Sequence, residues 1–264
     1  MRLTVTSWNV NSIRMRLRSV RRFVRAQQPD VLCLQETKVI DGDFPRAEIA
    51  ALGYPHSFVH GMKSYNGVAI FSKLPFEAAT AMGWCGKADC RHATVRIDGV
   101  ELHNLYVPAG GDEPDPAVNP KFAHKLQFLD ETAAWFAAER RADRPMILVG
   151  DLNIAPLEND VWSHKQLLKV VSHTPVEVER LGRLQRSAGW IDAIRHFVPA
   201  TEKLYSWWSY RNRDWAKSDR GRRLDHVWVT PPLARALKSF HVARAVRGWT
   251  PATDHVPVTA TLEL

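Results

Sequence analysis

Ile147-Leu148-Val149-Gly150-Asp151-Leu152-Asn153 is the stretch on which the fold turns. Its apolar run reads as a strand buried on both faces, as in a sheet covered by helices. The run stops at Gly150, and Asp151 and Asn153, two apart in extended chain, then point the same way. Burying such groups costs several kcal/mol unless they are paired. The stretch therefore either closes an Asx-turn or presents both side chains to a cavity.

The same ending recurs. Glu36 follows Val31-Leu32-Cys33-Leu34-Gln35, Asn9 and Asn11 follow Leu3–Ser7, and the dipeptides Asp225-His226 and Asp254-His255 each border an apolar run. One such ending would be a turn. Five suggest strand ends converging on a site for a hard cation, because carboxylate and carboxamide oxygens suit magnesium, which takes one or two protein carboxylates and keeps its waters. Taken singly, Glu36 could equally pair with Lys38. An aspartate beside a histidine can orient an imidazole as base or cationic phosphate ligand. With two Asp-His dipeptides, one is assigned to chemistry and the other to packing.

Strand-like runs cover Leu3–Ser7, Val31–Leu34, Val68–Ser72, Ala93–Ile97, Glu101–Tyr106, Met146–Val149, Asp225–Val229 and Val256–Leu262. Phe122, Leu126, Leu129, Ala133 and Phe136 repeat at helical spacing and predict a helix over Asn119–Arg140. Further helices are expected over Ile13–Ala26 and Val176–Ser187, and the four prolines of Pro108–Pro120 predict a surface loop. Alternating strands and helices make this an α/β chain with ligands at strand ends. No linker divides it, so residues 1–264 are expected to form a single domain.

Lys plus Arg number 36 against 28 Asp plus Glu, a net charge of +8 that favours a polyanionic partner, nucleic acid before membrane. Three cysteines allow no complete disulfide set, and Cys33 reads as a small core residue. Met1 runs directly into Leu3-Thr4-Val5-Thr6 without a signal peptide, and no apolar run has membrane-spanning length, so a soluble cytoplasmic protein is expected. Nucleophile-elbow, Walker and dinucleotide glycine motifs are missing, which counts against serine-hydrolase, nucleotide-hydrolase and redox chemistry. Between Tyr205 and Arg223, tryptophans alternate with arginines: Trp207, Trp208, Arg211, Arg213, Trp215, Arg220 and Arg222. Aromatic planes beside guanidinium groups suit a surface that stacks on sugars or bases and holds phosphates.

In order along the chain, Ser7-Trp8-Asn9-Val10-Asn11, Leu34-Gln35-Glu36-Thr37-Lys38, Tyr65-Asn66-Gly67-Val68, Leu105-Tyr106-Val107-Pro108, Gly150-Asp151-Leu152-Asn153, Tyr205-Ser206-Trp207-Trp208, Arg223-Leu224-Asp225 and Thr253-Asp254-His255 together resemble the bacterial-type exodeoxyribonuclease III and AP endonuclease family, within the endonuclease/exonuclease/phosphatase superfamily. The resemblance implies a four-layer α/β sandwich, two mixed β-sheets packed face to face and flanked by helices. It implies an Mg²⁺-dependent (or Mn²⁺-dependent) monomeric phosphodiesterase acting on duplex DNA, as 3′→5′ exonuclease, 3′-end cleaner and AP endonuclease cutting 5′ to abasic sites. A superfamily phosphoesterase on another substrate and a non-catalytic DNA-binding relative are the alternatives. The metal set it implies is Asn9, Glu36, Asp151, Asn153, Asp254 and His255. Asp151 would take the water's proton, Asn153 would hold the phosphate, and His255 would contact it, oriented by Asp254. Asp225 would support the site, and Tyr106 would stand beside the phosphate as phenol or phenolate. Trp207, Trp208, Arg211, Arg222, Leu224 and His255 would meet DNA. Arg222 departs from relatives, which commonly place an aromatic or aliphatic residue there to line the abasic-sugar pocket with Trp207.

Overall fold

The computed structural model describes residues 1–264. Two six-stranded mixed sheets make up its centre. The first runs in the order β13 (Leu237–Val242), β14 (Val258–Glu263), β1 (Arg2–Asn9), β2 (Val31–Gln35), β4 (Val68–Ser72), β3 (His56–His60). The second runs β5 (Ala78–Thr80), β6 (His92–Ile97), β7 (Val100–Tyr106), β8 (Met146–Asp151), β12 (Asp225–Val229), β9 (Ile191–Asp192). A short ribbon, β10 (Trp207–Trp208) with β11 (Gly221–Arg222), stands apart from both.

Strand alternation sorts the apolar residues into layers. On β2, Val31 and Cys33 enter the core between the sheets, whereas Leu32 and Leu34 enter the outer cluster containing Val20, Phe23 and Val24 of the helix Ile13–Gln27. On β8, Ile147 and Val149 face inward, and Leu148 faces Phe128 and Leu129 of the helix Pro120–Glu139 and Leu181 of the helix Pro175–Ser187. A strand apolar on both faces is therefore sandwiched between the opposite sheet and a helical layer. This is the expected four-layer α/β sandwich. No helix is long and apolar enough to cross a membrane.

The long helices lie within a residue or two of their predicted spans, with Asn119 capping the second through its side chain. Strands His56–His60, Ala78–Thr80, Ile191–Asp192 and Leu237–Val242 were not predicted. They are short or half-exposed and lie at or next to sheet edges, where one apolar face is enough. Polar side chains tie the two sheets together near the strand ends. Asn104 of β7 donates to the carbonyls of Leu34 and Ala69 across the interface, and Gln35 donates to Asn104 Oδ1 at 2.6 Å.

At the opposite end of β7, Glu101 lies 2.8 Å from His103 Nε2 and pairs with Arg140. Burial works against its charge, but His103 and Arg140 outweigh it and lower its pKa from 4.5 to about 2. A depressed carboxylate stabilises the fold fully above the unfolded value and loses that contribution as pH falls through the folded value. The stability difference between wild type and Glu101→Gln in urea titrations should thus be complete above pH 4.5 and fade towards pH 2. A difference that is constant with pH would contradict this account.

Candidate active site

Strand register builds the site. β7 and β8 are parallel with Tyr106 opposite Asp151, and β8 and β12 are antiparallel with Asp225 opposite Asp151. Three site residues thus lie in one row across three neighbouring strands. Gly150 makes the row possible: it has φ +149, and a Cβ there would lie 1.8 Å from the carbonyl oxygen of Leu105. Only glycine lets β7 and β8 approach this closely. In the first sheet β1 and β2 end side by side at Asn9 and Gln35, bringing Glu36 to the same rim. Glu36 and Asn153 both adopt left-handed backbone, φ 51 and φ 54, an arrangement that clusters at functional sites.

Glu36, Tyr106, Asp151, Asn153 and His255 open into one cavity of about 780 Å³, with Asp225 and Asn9 buried behind them. Asn9 Nδ2 donates to Glu36 Oε1 and to Asp151 Oδ2, both at 2.9 Å. Asn153 donates from its backbone to Asp151 Oδ1 at 3.0 Å and from its amide to Asp151 Oδ2 at 3.1 Å. His255 Nδ1 lies 2.8 Å from Asp225 Oδ2, and its Nε2 lies 3.6 Å from Asp151 Oδ2. Ser206 Oγ accepts from the backbone of Leu224 and Asp225, which fixes the start of β12.

The electrostatics follow from burial and neighbours. Burial, with Asp225 and Glu36 close by, pushes Asp151 up to about 7 against the pull of His255 and Asn9. Burial disfavours a charged His255, but Asp225 and Asp151 outweigh it and hold the imidazole protonated well above the ordinary histidine value. Burial, reinforced by Glu36 and Asp151, raises Tyr106 well above the usual tyrosine range. Of the two protonation states open for Tyr106, this environment selects the phenol.

Three expectations are corrected, and the division of labour between the two Asp-His dipeptides is resolved. His255 is oriented by Asp225; the carboxylate of Asp254 instead accepts from Trp207 Nε1 at 3.0 Å. Trp208 faces away from the cavity because neighbouring strand residues point to opposite faces. It is 1% exposed in the outer core, donating to Asp219 Oδ1. Asn9, expected as a metal ligand, uses its amide nitrogen on two carboxylates and its Oδ1 on the backbone of Asn11, so it clamps the acids together. Of the two histidines, His226 is the packing one, its Nε2 2.8 Å from the carbonyl of Ile154. Trp207, Arg211, Arg222, Leu224 and Asp254 do line the cavity.

One contributor, Lys125, carries almost no signal in the sequence, and Lys38 and Arg222 make contacts beyond those expected of them. Lys38 bridges Glu36 Oε2 at 2.8 Å and Asn11 Oδ1, so the pairing alternative and the site are both present. The fully buried Lys125 donates to the carbonyls of Asn153 and Ala109 and pairs with Glu177, fixing two cavity loops; its only sequence signal is a lysine on an apolar helix face. Arg222 donates to the carbonyl of Val171 and to Ser172 Oγ, and its guanidinium lies 5.2 Å from the Trp207 ring centre.

The donor set suits a hard cation. Carboxylate oxygens of Asp151 and Asp225 lie within 4.8 Å of each other, Glu36 adds a carboxylate joined to Asp151 through the Asn9 amide, and the protonated His255 offers no lone pair. Asp225 Oδ1 is buried without a hydrogen-bond partner. So many oxygens are compatible with Mg²⁺ or Mn²⁺ and hold no thiolate that would favour zinc.

A sandwich of two sheets between helices, with acids and a histidine gathered at one rim, defines a hydrolase-like α/β protein. The chain belongs to the Endonuclease/Exonuclease/phosphatase family, whose sequence profile matches residues 6–255. Among its relatives is exodeoxyribonuclease III of Haemophilus influenzae, 30% identical, with 96% of this chain and 97% of that one aligned. An AP endonuclease structure from Archaeoglobus fulgidus superposes with TM-score 0.92 at 30% identity, over 99% of this chain and 100% of that one. A 3′ phosphatase from Neisseria, solved bound to a product DNA hairpin, gives TM-score 0.91 at 30% identity over the same shares. Within the family the likeness is to exodeoxyribonuclease III and the AP endonucleases.

Proposed function

We propose that this protein is a metal-dependent DNA-repair nuclease that trims 3′ ends of duplex DNA, cleans blocked 3′ termini and cuts 5′ to abasic sites, acting as a single-domain monomer in the cytoplasm. The observation that carries this reading is Tyr106, Asp151, Glu36 and His255 in one cavity, with Asp225 behind His255 in the same strand row, beside a wall of Trp207, Arg211 and Arg222.

Each side chain has a task in hydrolysis at phosphorus. Asp151, with a pKa near neutrality, takes a proton from water. The water oxygen bonds to phosphorus, the bond from phosphorus to the 3′ oxygen breaks, and that oxygen takes a proton from solvent water, leaving a 3′-hydroxyl on the DNA. Protonated His255 and the Tyr106 phenol donate to the phosphate oxygens as negative charge builds, and the Asn153 side chain orients them. Asp225 keeps the His255 ring aimed and charged. Glu36, with Asp151, would hold Mg²⁺ or Mn²⁺, which when bound stabilises charge on the phosphate. The guanidinium of Arg222 over Trp207 gives the pocket wall a cationic lining suited to a phosphate or sugar at the reacting nucleotide.

The test is a parallel assay on an abasic duplex, a 3′-phosphate end and a blunt duplex, with Mg²⁺, with Mn²⁺ and with EDTA. Cleavage that needs the added cation and disappears with EDTA is expected. Failure to cut any of the three substrates with either cation, or cleavage indifferent to EDTA, would overturn the proposal.

A further inference from the structure

The helix Ile13–Gln27 carries six arginines, Arg14, Arg16, Arg18, Arg21, Arg22 and Arg25, and no acidic residue. Arg14, Arg18, Arg21 and Arg25 are spaced by four, three and four, so they form one stripe. The opposite face, Ile13, Val20, Phe23 and Val24, is buried against the first sheet. Arg14, Arg18, Arg22 and Arg25 are exposed. Of the six, only Arg16 makes hydrogen bonds, to Asn11, Ala252 and Tyr210, and none takes part in an ion pair. Arg22 stacks 4.1 Å above the Trp249 ring. Arg18, Arg21, Arg22 and Arg25 surround a surface depression of about 570 Å³.

The stripe starts at the catalytic rim and leaves it. Ser12 and Ile13 donate from their backbone to the carbonyls of Glu36 and Thr37, and the helix ends near Asp30, whose backbone meets Thr4. At 1.5 Å per residue, Arg21 and Arg25 lie roughly 12 and 18 Å down the flank from Ile13. None of the six arginines lines the cavity, and Arg18, Arg21 and Arg25 lie progressively farther from the rim than Arg14. A solvated basic face would explain the exposure. It does not explain fifteen positions without an acid, although Arg14/Arg18, Arg18/Arg22 and Arg21/Arg25 repel one another at i,i+4. Nor does it explain six arginines and no lysine, since the planar guanidinium fork is the group that grips phosphate.

We propose that this stripe is a second nucleic-acid track: it holds the phosphate backbone of an undamaged duplex outside the catalytic cavity, without reading its sequence. The proposal rests on the nuclease reading above, because the cavity is then filled by a separate DNA. The enzyme can thereby keep one stretch of DNA on its flank while it processes a 3′ end at its rim.

The test uses a short 3′-ended hairpin to saturate the cavity and, as probe, a fluorescent dumbbell duplex of about 20 base pairs with no free ends. Wild-type protein should bind the dumbbell in the presence of saturating hairpin. The triple variant Arg18→Gln, Arg21→Gln, Arg25→Gln should bind it at least tenfold more weakly. The slope of log affinity against log salt should become shallower by about 2.7, three lost phosphate contacts at ~0.9 each. Turnover of the hairpin and the melting temperature should stay unchanged. Equal dumbbell binding by the variant, or complete displacement of the dumbbell from wild type by hairpin, would overturn the proposal. Failure of the dumbbell to bind while polyglutamate binds in a stripe-dependent way would overturn it in favour of an acidic protein partner. Loss of hairpin cleavage in wild type would instead sink the nuclease reading, and the affinity of the dumbbell without hairpin would still report on the stripe.

Discussion

Replacing Asp151 by Asn lowers the single-turnover cleavage rate by about 10³-fold, within the range for loss of a general base, while DNA affinity changes little. The carboxylate is buried at the centre of the three-strand row and accepts from Asn9 and twice from Asn153. An amide keeps the shape and removes the proton acceptor. It also turns an NH₂ towards one of those donors, so a stability loss of about 1–3 kcal/mol accompanies the change. Relief of the repulsion from Asp225 and Glu36 offsets part of that loss. Arg211 and Arg222 of the cavity wall, proposed to hold phosphate, are untouched. Single-turnover kinetics and a binding titration on the same hairpin separate the two effects, and equal losses in both would contradict the role given to Asp151.

Arg223→Met should destabilise the fold by about 3–5 kcal/mol, the cost of removing one partner from a buried ionic network. Arg223 is 2% exposed. It holds Asp160 through two bonds, at 2.8 and 2.9 Å, and Asp192 through a third at 2.6 Å. Arg195 adds a fourth bond, to Asp160. Without Arg223, Asp192 loses its main cation, and Asp160 keeps only Arg195. The effect reaches the site because Arg223 precedes Leu224, whose carbonyl accepts from Leu152, and Asp225, which aims His255. Urea unfolding should show the loss, and adding Asp192→Asn should recover part of it. A change under about 1 kcal/mol would mean that the network carries far less than buried pairs usually do.

The layers of the fold were legible because burial imposes a period. A strand apolar on both faces, such as Ile147–Val149, has few places to go other than between a sheet and a helix. Glu36, Asp151, Asn153 and His255 were legible for a related reason, since a polar side chain at the end of a buried run must be turned towards a partner or a cavity. The edge strands were harder. Leu237–Val242 has one buried residue among six, and its chain pairs only because β14 offers it hydrogen bonds. Arg223 and Lys125 were harder still, because a charged residue whose partner is 31 to 63 residues away looks like surface in sequence.

From the sequence alone came the alternation of strands and helices, the polar strand ends, the tryptophan and arginine wall, and the excess of positive charge. Tertiary structure decided which carboxylate each histidine meets, which of two adjacent tryptophans sees the cavity, and whether Asn9 clamps or ligates. The physical reason is register. Periodicity is a property of neighbours along the chain, but the pairing of Asp225 with His255 depends on how strands far apart in sequence align, and a shift of one residue would turn every one of these side chains to the other face.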